Sequence, residues 1–271
     1  TKREVVSRLL AYLRRPPARN TNDPEIDNCG GDEGDNLAGW AQNALVIAGM
    51  DAVPALVTAL SNDAFDLGMI ANTLGAIGES ADAAVPGLMS RFSGARVSDE
   101  ERNAIVSSLG QIGRNAEAAV LLLVSLALNR NMPKDTRLLA VRSLGGIGVV
   151  TPTVIQALAQ VFESDSSIDI RYEASESLGR IGSAAKNAEY YLRRAFNSTD
   201  RAAQGPLRVS VRGTMAAIRG HKLQTFRKML KEMDDRDSGW YAACGLNGMG
   251  TNARAAIPEL IEALKDPSDD V

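Results

Sequence analysis

Apolar residues recur three and four positions apart through most of this chain, which is the spacing of one buried stripe on an amphipathic α-helix. Residues 137–144 and 171–178 show the pattern clearly. Each of these stretches runs into the pentapeptide Leu-Gly-x-Ile-Gly, and a second apolar stretch follows after a few residues. The pattern therefore predicts pairs of short helices and an all-α fold.

The pentapeptide recurs along the chain. Its strict copies are Leu74–Gly78, Leu109–Gly113, Leu144–Gly148 and Leu178–Gly182, and its degenerate copies are Leu45–Gly49, Ala216–Gly220 and Leu246–Gly250. Successive copies start 29 to 38 residues apart. Periods of this length are typical of solenoids, in which each unit packs only on its neighbours. We therefore expect about seven two-helix repeats.

Glycine and proline divide each repeat. The last glycine of the pentapeptide is expected to end the first helix at positive φ, which glycine adopts at little cost. The first glycine lies inside that helix, and we attribute it to the close approach of a neighbouring helix. Pro54, Pro86 and Pro258 fit the first turn of the second helix, where a backbone N–H has no helical partner.

Polar residues mark where the first helices begin. Ser98 and Glu101 have the spacing of a capping box, in which each side chain bonds the other residue's backbone N–H. Asp135 and Asp169 are further candidates for N-caps.

The combined pattern, Asp-x-x-Arg-x-x-Ala-x-x-x-Leu-Gly-x-Ile-Gly and then Ala-x-x-Val-Pro-x-Leu, resembles the short HEAT repeats first noted in phycobilisome lyases. The resemblance covers roughly residues 37–271. It implies a right-handed α-α superhelix, a HEAT-like or armadillo-like solenoid. The first helices would form the convex wall and the second helices would line the concave one. The motif is specific for the fold and says little about function.

The two ends differ from the repeats. Residues 1–15 are expected to form an N-terminal capping helix, followed by an acidic polar loop over residues 16–36 and the solenoid over residues 37–271. Residues 20–40 hold six acidic residues and no basic one. Their order does not match an EF-hand, so we interpret the loop as a solvated insert, with calcium binding as the alternative. Residues 266–271 are typical of the approach to another first helix, so we expect a longer array or a partner there.

Composition narrows the functional classes. The net charge of −3 lacks the chain-wide basic field of nucleic-acid binders. No apolar run approaches the roughly 18 residues of a membrane span. Cys29 and Cys244 form neither a disulfide framework nor a zinc pattern and fit a reducing compartment, so we expect a cytoplasmic protein.

The chain lacks a recognisable catalytic constellation. His221 is its only histidine, which argues against most hydrolytic triads and against a multi-histidine metal site. Its glycines follow the repeat and do not form a phosphate-binding loop. We therefore expect no enzyme activity, no metal and no cofactor.

Three arginines hold one register. Arg102, Arg137 and Arg171 each precede a pentapeptide by seven residues. We interpret them as a structural ladder at the repeat junctions, bonded to neighbouring carboxylates or carbonyls.

A basic segment gives the strongest functional indication. Residues 186–231 hold eleven basic residues against two acidic ones. Counting from the glycine that ends each first helix, offsets 7, 10, 11 and 14 of the second helix are expected core positions. Arg193 and Lys231 stand at offset 11, where other repeats have Met89, Val124 and Ile261, so each marks either a frame shift or a site. We expect Tyr190, Tyr191 and Arg194 to face the concave groove.

We therefore predict a non-catalytic scaffold that binds a protein partner, one with an acidic segment, in its concave groove. The predicted partner-binding residues are Tyr190, Tyr191, Arg193, Arg194, Arg227, Lys228 and Lys231. One alternative, from the resemblance, is a subunit of a bilin lyase-like enzyme. Another is an architectural spacer within a larger protein.

Overall fold

Helices account for nearly all of the structure. A computed structural model describes residues 1–15, 31–94 and 96–198 with Val211, Thr214, Met215 and Ile218, and side chains for 1–15, 37–94, 96–193 and those four residues. Within these ranges the only β-pairing is an isolated bridge between Arg14 and Phe65. The helices are α1 (Lys2–Ala11), α2 (Gly31–Ala48), α3 (Val53–Leu60), α4 (Leu67–Ile77), α5 (Val85–Phe92), α6 (Asp99–Ile112), α7 (Val120–Leu128), α8 (Lys134–Ile147), α9 (Pro152–Ser164), α10 (Ile168–Ile181) and α11 (Glu189–Ser198). The predicted all-α fold, a HEAT-like solenoid, is confirmed.

The chain divides into two compact units, Thr1–Ala119 and Val120–Val271. In the first unit, α4 packs along α6 and α1 packs on α2. In the second unit, α8 packs along α10, and α9 lies between α7 and α11. Both cores consist of Ala, Leu, Ile and Val with few aromatic side chains. The small alanines allow these short helices to approach closely.

Two predicted boundaries are wrong. Helix α1 ends at Ala11, and the chain then leaves the helix so that the backbone N–H of Arg15 donates to the carbonyl of Ala64 at 2.9 Å. Helix α2 begins at Gly31, so residues 31–36 continue a helix instead of belonging to a loop. Acidic residues 32, 33 and 35 stand near the start of this helix, where the macrodipole favours negative charge. The rest of the predicted loop, residues 16–30, lies outside the described residues.

The glycines have the two roles that the sequence predicts. Gly49, Gly78, Gly113, Gly148 and Gly182 all have φ between 56° and 75°. A Cβ on Gly145 would lie 2.8 Å from the Cβ and 3.0 Å from the Cα of Ser177, and one on Gly75 would lie 2.9 Å from the Cα of Ser108. Neighbouring first helices therefore approach each other at glycine.

Helix caps follow the prediction only in part. The capping box of Ser98 and Glu101 is present. Asp135 and Asp169 are not caps, because α8 is capped by Pro133 and α10 by Ser167. Each aspartate lies in the first turn, where its charge favours the helix N-terminus.

A row of buried hydroxyls fixes the register of the first helices. In the first unit, Ser108 donates to the carbonyl of Ala71 at 2.6 Å. In the second unit, Ser177 donates to Val141 at 3.1 Å and Thr214 to Ser175 at 2.9 Å. Ser108 and Ser177 each stand immediately before the pentapeptide of their own repeat. The carbonyl that each one bonds belongs to the preceding repeat and stands three residues before the first residue of that repeat's pentapeptide.

Thr214 therefore aligns the described residue Ile218 with the isoleucine of the earlier copies, one position later than the predicted copy Ala216–Gly220 puts it. The other residues of that predicted copy lie outside the described residues. Val211 and Ile218 are buried where this register requires apolar residues.

One stretch of the described residues, Asp99–Leu128, is long and apolar enough to cross a membrane. This is weak evidence for a span, since core helices of soluble proteins pass the same test. The 3₁₀ turn Gly113–Ala119 also interrupts the stretch, with non-helical backbone angles at Ala116.

Candidate functional site

The arginine ladder is structural, as predicted. Arg102 donates to the carbonyls of Phe92, Gly94 and Val97, and its guanidinium stacks on the Phe92 ring at 5.4 Å. Arg171 repeats this arrangement on Phe162, with its Nε 2.8 Å from the carbonyl and its guanidinium 5.7 Å from the ring centre. Burial lowers the pKa of Arg171.

Arg137 has no aromatic partner and instead pairs with Asp165 in the turn between α9 and α10, both side chains being buried. All three members of the register are therefore bonded within their own unit, to carbonyls or to a carboxylate. Each member of the ladder therefore has a structural partner.

Most cations of the second unit are paired within it. Glu173 accepts hydrogen bonds from Arg142 at 2.8 Å and Arg180 at 2.6 Å, and the first of these raises the pKa of Arg142. Lys134 pairs with Asp169, and Arg130 donates to the carbonyl of Ser164 at 2.7 Å.

Two cations differ from these. Among the described side chains of this unit, Lys186 and Arg193 are the cations without an ion pair or hydrogen bond, and both are exposed. They lie in the basic segment that the sequence indicated, on the turn before α11 and on α11 itself.

Three of the predicted partner-binding residues lie together on α11. The side chain of Tyr190 is 66% exposed, and that of Tyr191 is half-buried. Their rings meet edge to face with centroids 5.5 Å apart. Arg193 follows on the exposed side of the helix. The side chain of Arg194 lies outside the described residues, as do Arg227, Lys228, Lys231 and His221.

Offset 11 is not a core position in the repeats whose second helix follows a seven-residue turn, although Leu60 and Ala159 are buried at offset 11 in the two repeats whose second helix begins earlier. Met89 and Val124, which stand there in other repeats, are only half-buried, while Leu88, Leu123 and Leu192 at offset 10 are fully buried. Arg193 is therefore an ordinary exposed residue and not a charge placed in the core.

A groove opens beside Tyr191 because the fourth repeat lacks a turn. Second helices α5, α7 and α11 follow 3₁₀ turns, Gly78–Ala84, Gly113–Ala119 and Gly182–Ala188, whose alanines at offsets 3 and 6 are fully buried. In repeat four, offset 3 is Thr151, whose hydroxyl caps α9 by accepting from the N–H of Val154. Pro152 follows at the first turn, so α9 begins three residues early.

The missing turn changes what the next turn packs against. In the first unit, the turns Gly78–Ala84 and Gly113–Ala119 pack against each other. In the second unit, the turn Gly182–Ala188 meets the start of α9 instead, and a groove of about 410 Å³ lies between them. It is lined by Val150, Thr151, Pro152, Ile155, Gln156, Ala159, Ala184, Asn187, Ala188 and Tyr191. The lining contains no charged residue, and Lys186 and Arg193 are close to it in sequence.

Metal chemistry has no visible support in the described part of the chain. No group of three or more His, Cys, Asp or Glu side chains there could hold a metal ion.

The sequence analysis did not identify Gln156, Asn187 or the early start of α9 as parts of a site. The only signal for them was the Thr-Pro pair in place of the usual alanine at offset 3.

The comparisons with known proteins support the fold. Residues 120–204 match the family model described as HEAT repeats, a range that covers α7 to α11 and the groove. No curated protein matches the chain. The phycobilisome-lyase type therefore stays a resemblance that rests on the repeat motif. Taken with the helical pairs described above, the family match supports a HEAT-repeat protein.

Proposed function

We propose that this chain is a non-catalytic scaffold that binds a protein partner on the surface formed by α9, the turn Gly182–Ala188 and α11. The observation that carries the proposal is the exposed Tyr190, packed on the half-buried Tyr191 beside Arg193, a cation without a partner in the described chain. Tyrosine and arginine are enriched among the residues that dominate the binding energy of protein interfaces.

HEAT repeats generally mediate protein–protein interactions and typically form non-enzymatic scaffolds. The charge of this surface favours an acidic partner segment, since Lys186 and Arg193 are both unpaired there. A positive patch attracts a negative one during encounter and disfavours partners of like charge. The partner's acidic residues would thus supply the specificity, and the tyrosines would supply apolar contact area.

Selection from a random peptide display library tests the proposal. We expect the parent chain to enrich peptides that combine acidic with apolar residues. A variant with Tyr190→Ser and Arg193→Glu should retain its helical circular dichroism and bind the enriched peptides at least about tenfold more weakly, as expected when hot-spot residues are lost.

The matched control changes the same residue types elsewhere, with Arg3→Glu on the exposed side of α1 and Tyr12→Ser at the exposed residue that follows this helix. This control should bind like the parent. Equal losses in both variants would show that the surface on α11 is not the site. A failure to enrich any peptide would contradict the scaffold function and favour the architectural spacer.

A further inference from the structure

Two side-chain amides line the groove beside α9, one from each of the two elements that border it. Gln156 projects from α9 and Asn187 from the turn Gly182–Ala188; both are exposed and line the groove. Neither amide makes a hydrogen bond to another described residue. A side-chain amide both donates and accepts, so each matches the N–H and the C=O of a peptide unit.

The floor of the groove is apolar. Ile155, Ala159 and Ala188 line it and are buried by their neighbours, and none of the lining residues is charged. A volume of about 410 Å³ is at the small end of ligand pockets, which are commonly about 300–1,000 Å³. It therefore has room for a short stretch of chain and one or two inserted side chains.

We infer that this groove receives an extended segment of the partner protein. An apolar side chain of the segment lies on the floor, its backbone bonds to Gln156 and Asn187, and a flanking acidic residue pairs with Lys186 or Arg193. The inference rests on the proposed function, because it specifies how the same surface holds its partner.

An extended segment fits better than a helix because of the amides. A helix satisfies its own backbone groups internally, so it would leave both amides without a backbone partner. An extended segment presents free N–H and C=O groups, and such segments commonly gain affinity from main-chain hydrogen bonds and specificity from side-chain pockets.

The positive charge near the groove favours an acidic residue beside the apolar residue of the segment. Six of the eight described cations of the second unit are bonded within it, and the two that remain, Lys186 and Arg193, are those near the groove in sequence. Because both are exposed, their attraction for a carboxylate is screened by salt. Binding of an acidic segment should therefore weaken as the ionic strength rises.

Two pairs of variants isolate the groove. Gln156→Ala removes one amide, and Gln160→Ala removes an equally exposed amide one turn later on α9, outside the lining. Ala184→Leu narrows the groove, and Ala83→Leu makes the same change at an exposed alanine of the turn Gly78–Ala84. All four positions are exposed, so the fold should be kept in each variant.

The probe is a fluorescein-labelled peptide enriched in the library selection, and its affinity is measured by fluorescence anisotropy. We expect Gln156→Ala and Asn187→Ala each to weaken binding about threefold to tenfold, the range for one hydrogen bond. Ala184→Leu should weaken it at least as much, and both control variants should bind like the parent. N-methylation of a backbone amide beside the apolar residue of the peptide should also weaken binding.

Two other outcomes would overturn the inference and can be told apart. If the enriched peptides bind the three groove variants like the parent but lose affinity for the Tyr190→Ser, Arg193→Glu variant, the scaffold function stands and the groove is not its site. If the library yields no binding peptide at all, the proposed function and the inference both fail.

Discussion

Gly145 shows at the scale of one residue how closely the first helices pack. A Cβ at this position would lie 2.5 Å from the Oγ, 2.8 Å from the Cβ and 3.0 Å from the Cα of Ser177. The Oγ can rotate away, but the Cβ and Cα can move only if α8 and α10 separate. Gly145→Ala should therefore destabilise the fold by about 1–2 kcal/mol, the cost of overpacking exceeding the gain in helix propensity.

Gly39 is the matched control for this substitution, because it lies inside α2 with no described atom within 4 Å of the added Cβ. Gly39→Ala should leave the stability unchanged or raise it by up to about 1 kcal/mol. Urea denaturation followed by circular dichroism measures both variants. Equal destabilisation by the two would contradict the close approach at Gly145.

Arg137 carries the second prediction at this scale. Arg137→Met would leave the carboxylate of Asp165 buried without its cation, and removing one partner of a buried pair costs about 3–5 kcal/mol. The exposed pair of Lys134 and Asp169 joins the same helix, α8, to the first turn of α10. Lys134→Met should leave the denaturation midpoint unchanged, because exposed pairs contribute little. Similar losses in the two variants would show that burial does not distinguish these pairs.

Helix caps matter at the scale of the element, and two serines allow a direct comparison. Ser98 caps α6 with a side-chain hydrogen bond to the N–H of Glu101, whereas Ser167 caps α10 without one. Ser98→Ala should cost about 1 kcal/mol, a typical value for losing an N-cap bond. Ser167→Ala should cost less in the same thermal or urea denaturation measurement. The reverse order would contradict the capping geometry described here.

Periodicity predicted the elements well because the signals were local. Glycine at the helix ends, proline in the first turn and the capping box at Ser98 all depend on residues within one turn of the helix. Ile218 was aligned one position too early because its register is set by Thr214, which bonds a carbonyl 39 residues earlier in the chain. No local pattern contains that information.

The candidate site shows the same limit. The sequence identified Tyr190, Tyr191 and Arg193 from composition, and the structure places all three on α11. It did not identify the groove, because the groove lies where the seven-residue turn that precedes α5, α7 and α11 is missing before α9. Gln156 and Asn187 are 31 residues apart and become neighbours only through the packing of consecutive repeats.

Coupling between repeats is the property that belongs to the whole molecule. In a solenoid each repeat contacts only its neighbours, so stability is close to a sum of repeat terms and nearest-neighbour terms. A destabilising substitution in one helix should then loosen the helices packed against it, and its effect should decrease along the chain. Hydrogen exchange resolves this, because amides report local opening as well as global unfolding.

Gly145→Ala provides the defect for this test. Helix α8 packs against α7 and α10, and amides in these three helices should exchange faster in the variant than in the parent. Amides of α1, α3 and α4 belong to the first unit and should keep their protection. Peptide-resolved mass spectrometry under native conditions measures both sets. A uniform loss of protection over all described helices would contradict this expectation. It would mean that the chain unfolds as one cooperative unit, so that a substitution in α8 destabilises every helix equally.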